Sequence, residues 1–265
     1  MPQTTLDTIL AVTRTRIAAL RPRTRELERR AAAAPEPRSF SAALRGSSIG
    51  VIAEVKRRSP SAGAINEALD PVSLAAAYAA GGAVAISVLT DEAHFGGSLD
   101  DLELVARQVP RPVLRKDFIL DEIQLLEARA AGASAILLIV RAMAPPRLSE
   151  LARLARDLGL GVLVEVHNAG EIDTAVAVDP TAVGVNSRDL ATFKVDHAVA
   201  EQLIACVPSG IPAVAESGIE GRADVERFAA AGADLVLVGT AVARAADPAA
   251  AVRDLSGIPR RGRHT

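Results

Sequence analysis

Residues 50–65 read GVIAEVKRRSPSAGAI, an apolar strand that ends in charge. Val51, Ile52 and Ala53 belong in a core, yet Glu54 and Lys56 follow at a spacing of two. In an extended chain they leave from the same face as Ile52. A carboxylate and an ammonium on an inward face are costly unless they are paired or used. The turn that follows, KRRSPSAGAI, lacks the G-x-G-x-x-G pattern that usually opens a doubly wound sheet. A buried strand that delivers charge at its C-terminal end, with no dinucleotide turn after it, favours a closed barrel.

The same unit recurs downstream. IGVIAEVK, AVAISVLT, RPVLRKD, ASAILLIV, GVLVEVH, AVGVNS, PAVAES and DLVLVGT read as eight strands, separated by Ala/Leu-rich helical stretches such as PVSLAAAYAAGG, DEIQLLEARAAG and GRADVERFAAAGA. Gly81, Gly132, Gly159 and Gly232 stand where a left-handed helix C-cap prefers glycine. No linker composition appears after residue 48, so the reading is α/β: one (β/α)8 TIM barrel over 48–265. Residues 1–47 are expected as an N-terminal helical extension packed on it, because Leu6, Ile9, Leu10, Ile17 and Leu20 recur at roughly helical spacing. The arginine-rich start is not a transit peptide, since Asp7, Glu26 and Glu28 interrupt it, and it has no apolar signal-peptide core.

Composition narrows the class. Of 265 residues 49% are hydrophobic but only 2% aromatic, so Val, Ile, Leu and Ala must build the core, which suits parallel strands covered by helices. A net charge of −2 gives no reason to expect a nucleic-acid or anionic-membrane partner. Apolar runs are too short and too broken for a membrane span, so a cytoplasmic protein is expected. A single cysteine, Cys206, excludes an intrachain disulfide and reads as a small buried side chain near a helix end. His94, His167, His197 and His264 do not fall at metal-ligand spacings, and no metal is assigned.

The charge at the end of the first strand is not an isolated case. Strand three ends in Lys116 and Asp117, strand five in Glu165, strand six in Asn186 with Arg188 just beyond, and strand seven in Glu216 and Ser217. In a closed barrel these C-terminal ends converge on one face, where barrel enzymes hold their active sites. An internal ion-pair plug is the bland alternative, but it has no use for the amide, serine and glycines beside it. The turns ESGI (Glu216 to Ile219) and VGTAV (Val238 to Val242) follow strands seven and eight, where such barrels commonly hold a phosphate on backbone N–H groups. Ser217 and Thr240 can add hydroxyls.

With these residues in place the chain resembles the indole-3-glycerol-phosphate synthase family of tryptophan biosynthesis. The resemblance is carried, in order, by IAEVKRRSPSAG, SVLTDEAHFGGS, PVLRKDFI, LVEVHN, GVNSRDL, VAESGI and LVGTAV, over nearly the whole chain. It implies conversion of 1-(2-carboxyphenylamino)-1-deoxyribulose 5-phosphate to indole-3-glycerol phosphate, carbon dioxide and water, with no cofactor, by a monomer. It further implies Lys116 as the general acid, made readier to give its proton by neighbouring cations, and Glu165 as the second proton-transfer group. Lys56 would hold the substrate carboxylate, Glu54 and Asn186 would orient, and Phe118 would grip the anthranilate ring. Ser59, Arg188, Glu216, Ser217, Gly218, Gly239 and Thr240 would complete the substrate and phosphate contacts. The chain departs from the family pattern at Ala93 and His94, where a lysine and an aromatic are common, and His94 reads as a solvated loop residue. Two rivals are a sugar-phosphate barrel such as phosphoribosylanthranilate isomerase, which works through a Cys and an Asp, and a non-catalytic barrel that binds a phosphometabolite. The one cysteine is not at a strand end, which argues against the first, and a binder has no use for two lysines with Glu165.

Overall fold

The computed structural model describes residues 5–60, 62–66, 68, 70–189 and 194–263, so Ser61, Leu190 and His264 of the sequence reading lie outside the described residues. Eight parallel strands form its centre: β1 (Gly50–Val55), β2 (Ala85–Leu89), β3 (Val113–Lys116), β4 (Ala135–Ile139), β5 (Gly161–Val166), β6 (Ala182–Asn186), β7 (Ala213–Glu216) and β8 (Leu235–Val238). Each pairs with the next, and β8 pairs with β1, Gly50 opposite Leu235 and Ala53 opposite Val238, which closes the barrel.

Parity along the strands explains why both faces are apolar. Val51, Ala53 and Val55, with Ile86, Val88, Val164 and Val236, lie in one cluster with helix residues such as Tyr78, Leu102 and Leu125. The alternate positions Ile52, Ala85, Leu114, Leu137, Leu163, Val214 and Leu237 meet in a second cluster inside the barrel. One step further along, that inward set becomes Glu54, Lys116, Glu165 and Glu216, all on the C-terminal side. Phe40, from the short helix Phe40–Ala43, closes the opposite mouth against Gly161 and Ala135, where a Cβ on Gly161 would come within 3.0 Å of the Phe40 ring.

Local signals set the helix ends. Asp70 caps Pro71–Ala80, Ser98 caps Leu99–Gln108, and Asp121 with Gln124 forms a capping box on Glu122–Ala130. Gly132, Gly159 and Gly232 adopt the expected left-handed conformation, but Gly81 does not: its φ is −73° and Gly82 takes the positive angle instead. Gly81 serves close approach, since a Cβ there would lie 2.5 Å from the Ala249 carbonyl oxygen. Cys206 also departs from expectation. It ends the helix His197–Cys206, as predicted, but is exposed, because the buried face of that helix is Ala200, Leu203 and Ile204.

The helices Leu6–Leu20 and Thr24–Ala33 bury Ile17, Leu20 and Leu27 against Ile123 of Glu122–Ala130. A polar tie reaches further in. Arg16 donates to Asp117 at 2.7 Å, and the fully buried Asp117 also receives Arg115 at 3.0 Å and the Thr90 hydroxyl at 2.5 Å. Asp117 lines the mouth of the barrel, but its carboxylate is taken up by these donors. It anchors the extension to the end of β3, with its carboxyl below the usual range because Arg115 and Arg16 outweigh burial. Asp117→Ala leaves Arg115 with only Glu127 among carboxylates, and a loss of about 3 kcal/mol in urea unfolding is expected.

Candidate active site

At the C-terminal mouth, β1 brings Glu54 and Lys56 together as an ion pair of 2.8 Å, with Glu54 buried. Gly239, just past β8, lets its turn come down onto this pair; a Cβ there would stand 2.5 Å from Glu54 Oε1 and 2.9 Å from Lys56 Nζ. Across the mouth Lys116 Nζ sits 3.6 Å from Glu165 Oε2 and 3.6 Å from Glu216 Oε2. Glu216 reaches inward over Gly184 on β6, where a Cβ would be only 2.0 Å from its Oε1. Asn186 hydrogen-bonds Glu165 and accepts the Arg188 backbone N–H at 3.0 Å.

These groups line a cavity of about 670 Å³. Its apolar wall includes Leu137, Ile139 and Leu237, and Phe118, whose ring pairs with Phe95 at 6.4 Å between centroids. Its other end is formed by Ser217, Gly218, Gly239 and Thr240 with Arg244. Ser217 and Gly218 are both left-handed, φ +66° and +70°. For a serine that conformation costs about 1–3 kcal/mol. At Gly218 no side chain fits, since a Cβ would lie 2.3 Å from His197 Nε2. Ser59, on the hairpin of Arg58–Ser59 with Gly63–Ala64, accepts the Ala62 N–H at 3.1 Å and lines the same cavity, as does Arg188.

A family model described as indole-3-glycerol phosphate synthase matches residues 6–255. The chain belongs to the indole-3-glycerol phosphate synthase family. A relative of that name from Mycolicibacterium smegmatis is 50% identical over 230 residues, 87% of this chain and 85% of its own. Another, from Mycobacterium avium, is 48% identical over 256 residues, 96% of this chain and 94% of its own. The 3-hexulose-6-phosphate synthase of Salmonella typhimurium shares the fold, with a TM-score of 0.60 at 19% identity, covering 78% of this chain and 96% of its own.

In this member of the indole-3-glycerol phosphate synthase family the buried charges of the cavity act on one another at close range. Burial alone would push the Lys116 ammonium down, but Glu165, Glu216 and Glu54 outweigh it and hold it above the usual lysine range. This corrects the expectation that cations loosen its proton: among the described residues its ion-pair partners are carboxylates, and Lys56 is paired with Glu54. Burial would push Glu165 up, yet Lys116 and then His167 hold it well below the usual range. Glu216 goes the other way; burial and the nearby Glu165 charge push it up to about 8 despite Lys116.

That last shift has a defined sign. A carboxyl protonated in the fold but ionised when unfolded stabilises the fold fully below the ordinary glutamate range, and this contribution is lost as pH rises towards about 8. Glu216→Gln, which cannot ionise, is therefore expected to raise the thermal midpoint relative to the unaltered chain at pH 8 and not at pH 4. Calorimetry at the two pH values checks this.

His167, Phe95 and Arg244 are not legible as site residues in the sequence. His167 lies two residues past Glu165 on the same strand face, but its spacing to the other histidines carries no signal. A lone ring in a polar turn and an arginine in an Ala-rich helix, Phe95 and Arg244, carry none either. His94 is corrected: it is not a solvated loop residue but part of the helical turn Glu92–Phe95, capped by Asp91, with Nδ1 3.2 Å from the Asp91 carboxylate.

Proposed function

We infer that this cavity closes and aromatises an indole ring, turning 1-(2-carboxyphenylamino)-1-deoxyribulose 5-phosphate into indole-3-glycerol phosphate, carbon dioxide and water. One observation carries the reading: Lys116 stands 3.6 Å from each of two buried carboxylates in a cavity with an aromatic pair at one side and small-residue turns at the other. The ring carbon that bears the carboxylate attacks the ribulose carbonyl, and Lys116 delivers its proton to the carbonyl oxygen as negative charge develops there. A tightly held proton suits this role, because the acid is always loaded and an alkoxide is more basic than any lysine. The electrons of the bond to carbon dioxide then return to the ring, which needs no cofactor.

Glu165, ionised beside Lys116 and His167, takes part in the last stage, where the new hydroxyl leaves as water and a carbon-bound proton is removed. Lys56, oriented by Glu54, faces the substrate carboxylate. Phe118 and Phe95 flank the anthranilate ring, and Asn186 and Glu216 meet the ribulose hydroxyls. Ser59, Arg188, Ser217, Gly218, Gly239 and Thr240, with Arg244, meet the phosphate and adjoining groups. Among the described residues no helix is long and apolar enough to cross a membrane. The same reading has a single chain acting on a free small molecule in the cytoplasm. The chain has no tryptophan, so product fluorescence is seen against a quiet background. Purified protein is expected to generate indole fluorescence and carbon dioxide one for one from the carboxyphenylamino substrate. Absence of both sinks the assignment.

A further inference from the structure

Behind Glu165 lies a buried group that the mechanism above does not use. The His167 ring is 3% exposed, with Nε2 3.2 Å from Glu165 Oε1 and Nδ1 3.7 Å from Glu171 Oε2. Neither ring nitrogen is aligned for a full hydrogen bond, and each faces a carboxylate oxygen. Glu171 is itself fixed. It accepts the His167 backbone N–H at 2.8 Å, the Asn168 amide at 2.7 Å and the Arg141 guanidinium at 3.1 Å. A line of ionisable groups, basic and acidic in turn, thus runs from Arg141 near the surface through Glu171, His167 and Glu165 to Lys116.

We propose that His167 is a positioning residue for the ring-closing reaction: as an imidazolium clamped by Glu171, it holds one oxygen of Glu165 and leaves the other to face Lys116 and the substrate. The inference rests on the function proposed above. The geometry separates the two oxygens, since Oε1 meets His167 while Oε2, at 3.6 Å from Lys116, has no hydrogen-bond partner of its own. Without His167 an ionised Glu165 would keep Asn186 as its one remaining orienting partner besides Lys116 and would lose one of the two cations that keep it charged. Burial alone would discharge the imidazole, but Glu165 and Glu171 push it up to about 9. Other charges near it are Arg141 from the turn after β4, and Arg188, Asp189, Lys194 and Asp196, which with His167 line a small side cavity after β6.

His167→Gln, which keeps a donor but no charge, is expected to lower kcat by about 10²-fold through misplacement of Glu165. KM should change little, and the acid limb of the kcat profile should move up by about one pH unit or more as Glu165 loses a cation. Unchanged kcat and an unmoved limb in a folded variant overturn the proposal, and so does a rise in KM alone. A second measurement does not depend on that variant folding. Nitrogen-15 spectra of the unaltered chain at pH 7.5 are expected to show both His167 ring nitrogens protonated, and a neutral tautomer overturns the proposal. Failure of the functional reading looks different: the unaltered chain would then make no indole, whatever the charge on His167.

Discussion

Lys116→Ala is expected to abolish turnover to within the sensitivity of a fluorescence assay. Loss of a general acid costs about 10²–10⁴-fold in rate. Here the loss goes further, because the ammonium, 3.6 Å from Glu165, is also the foremost of the charges that keep that carboxyl ionised. Without it the Glu165 carboxylate lies buried beside the Glu216 carboxyl with no cation between them, which drives Glu165 towards its protonated form. Glu165, now held low chiefly by Lys116, would rise towards neutrality and fail in its own step. The variant should therefore lose both ring closure and the later proton transfer, and added alkylamines should restore little. Near-normal turnover would remove Lys116 from the mechanism.

Glu165→Gln separates the stages. Substrate should still bind, since the phosphate turns and the aromatic pair are untouched, and ring closure retains Lys116. Dehydration loses its proton-transfer group, at about 10²–10⁴-fold. A single-turnover experiment is then expected to release carbon dioxide ahead of indole fluorescence. The Lys116 ammonium loses the strongest of the fields that raise it, so the basic limb of the profile should move to lower pH. If carbon dioxide and indole appear together at the unaltered rate, Glu165 does not serve the last step.

Much of this was legible in the chain itself. Period-two alternation in GVIAEVKR, with charge appearing only past the apolar residues, marks a strand whose end faces a cavity, and the same sign repeats at Lys116, Glu165, Asn186 and Glu216. Parity then assigns each of them to the inside, because a strand in a closed barrel has no freedom to turn one residue over without turning all of them. The second residue of a pair is harder to see. His167 obeys the same parity as Glu165, but nothing local says that Glu171 stands behind it, one helical turn into the next element. Asp117 shows the opposite failure: although it adjoins Lys116 in sequence, its carboxylate is taken by Arg16, about a hundred residues away.

By itself, then, the order of residues determined the eight-strand barrel, the mouth at which its polar side chains gather and the family they resemble. Those features follow from alternation, caps and short turns, which act over a few neighbouring residues. Only the tertiary structure decided the charge state at that mouth. Whether Lys116 meets cations or carboxylates depends on Gly184 leaving room for Glu216 and on Lys56 turning to Glu54. Such fields fall off over a few ångströms in space and take no account of separation along the chain.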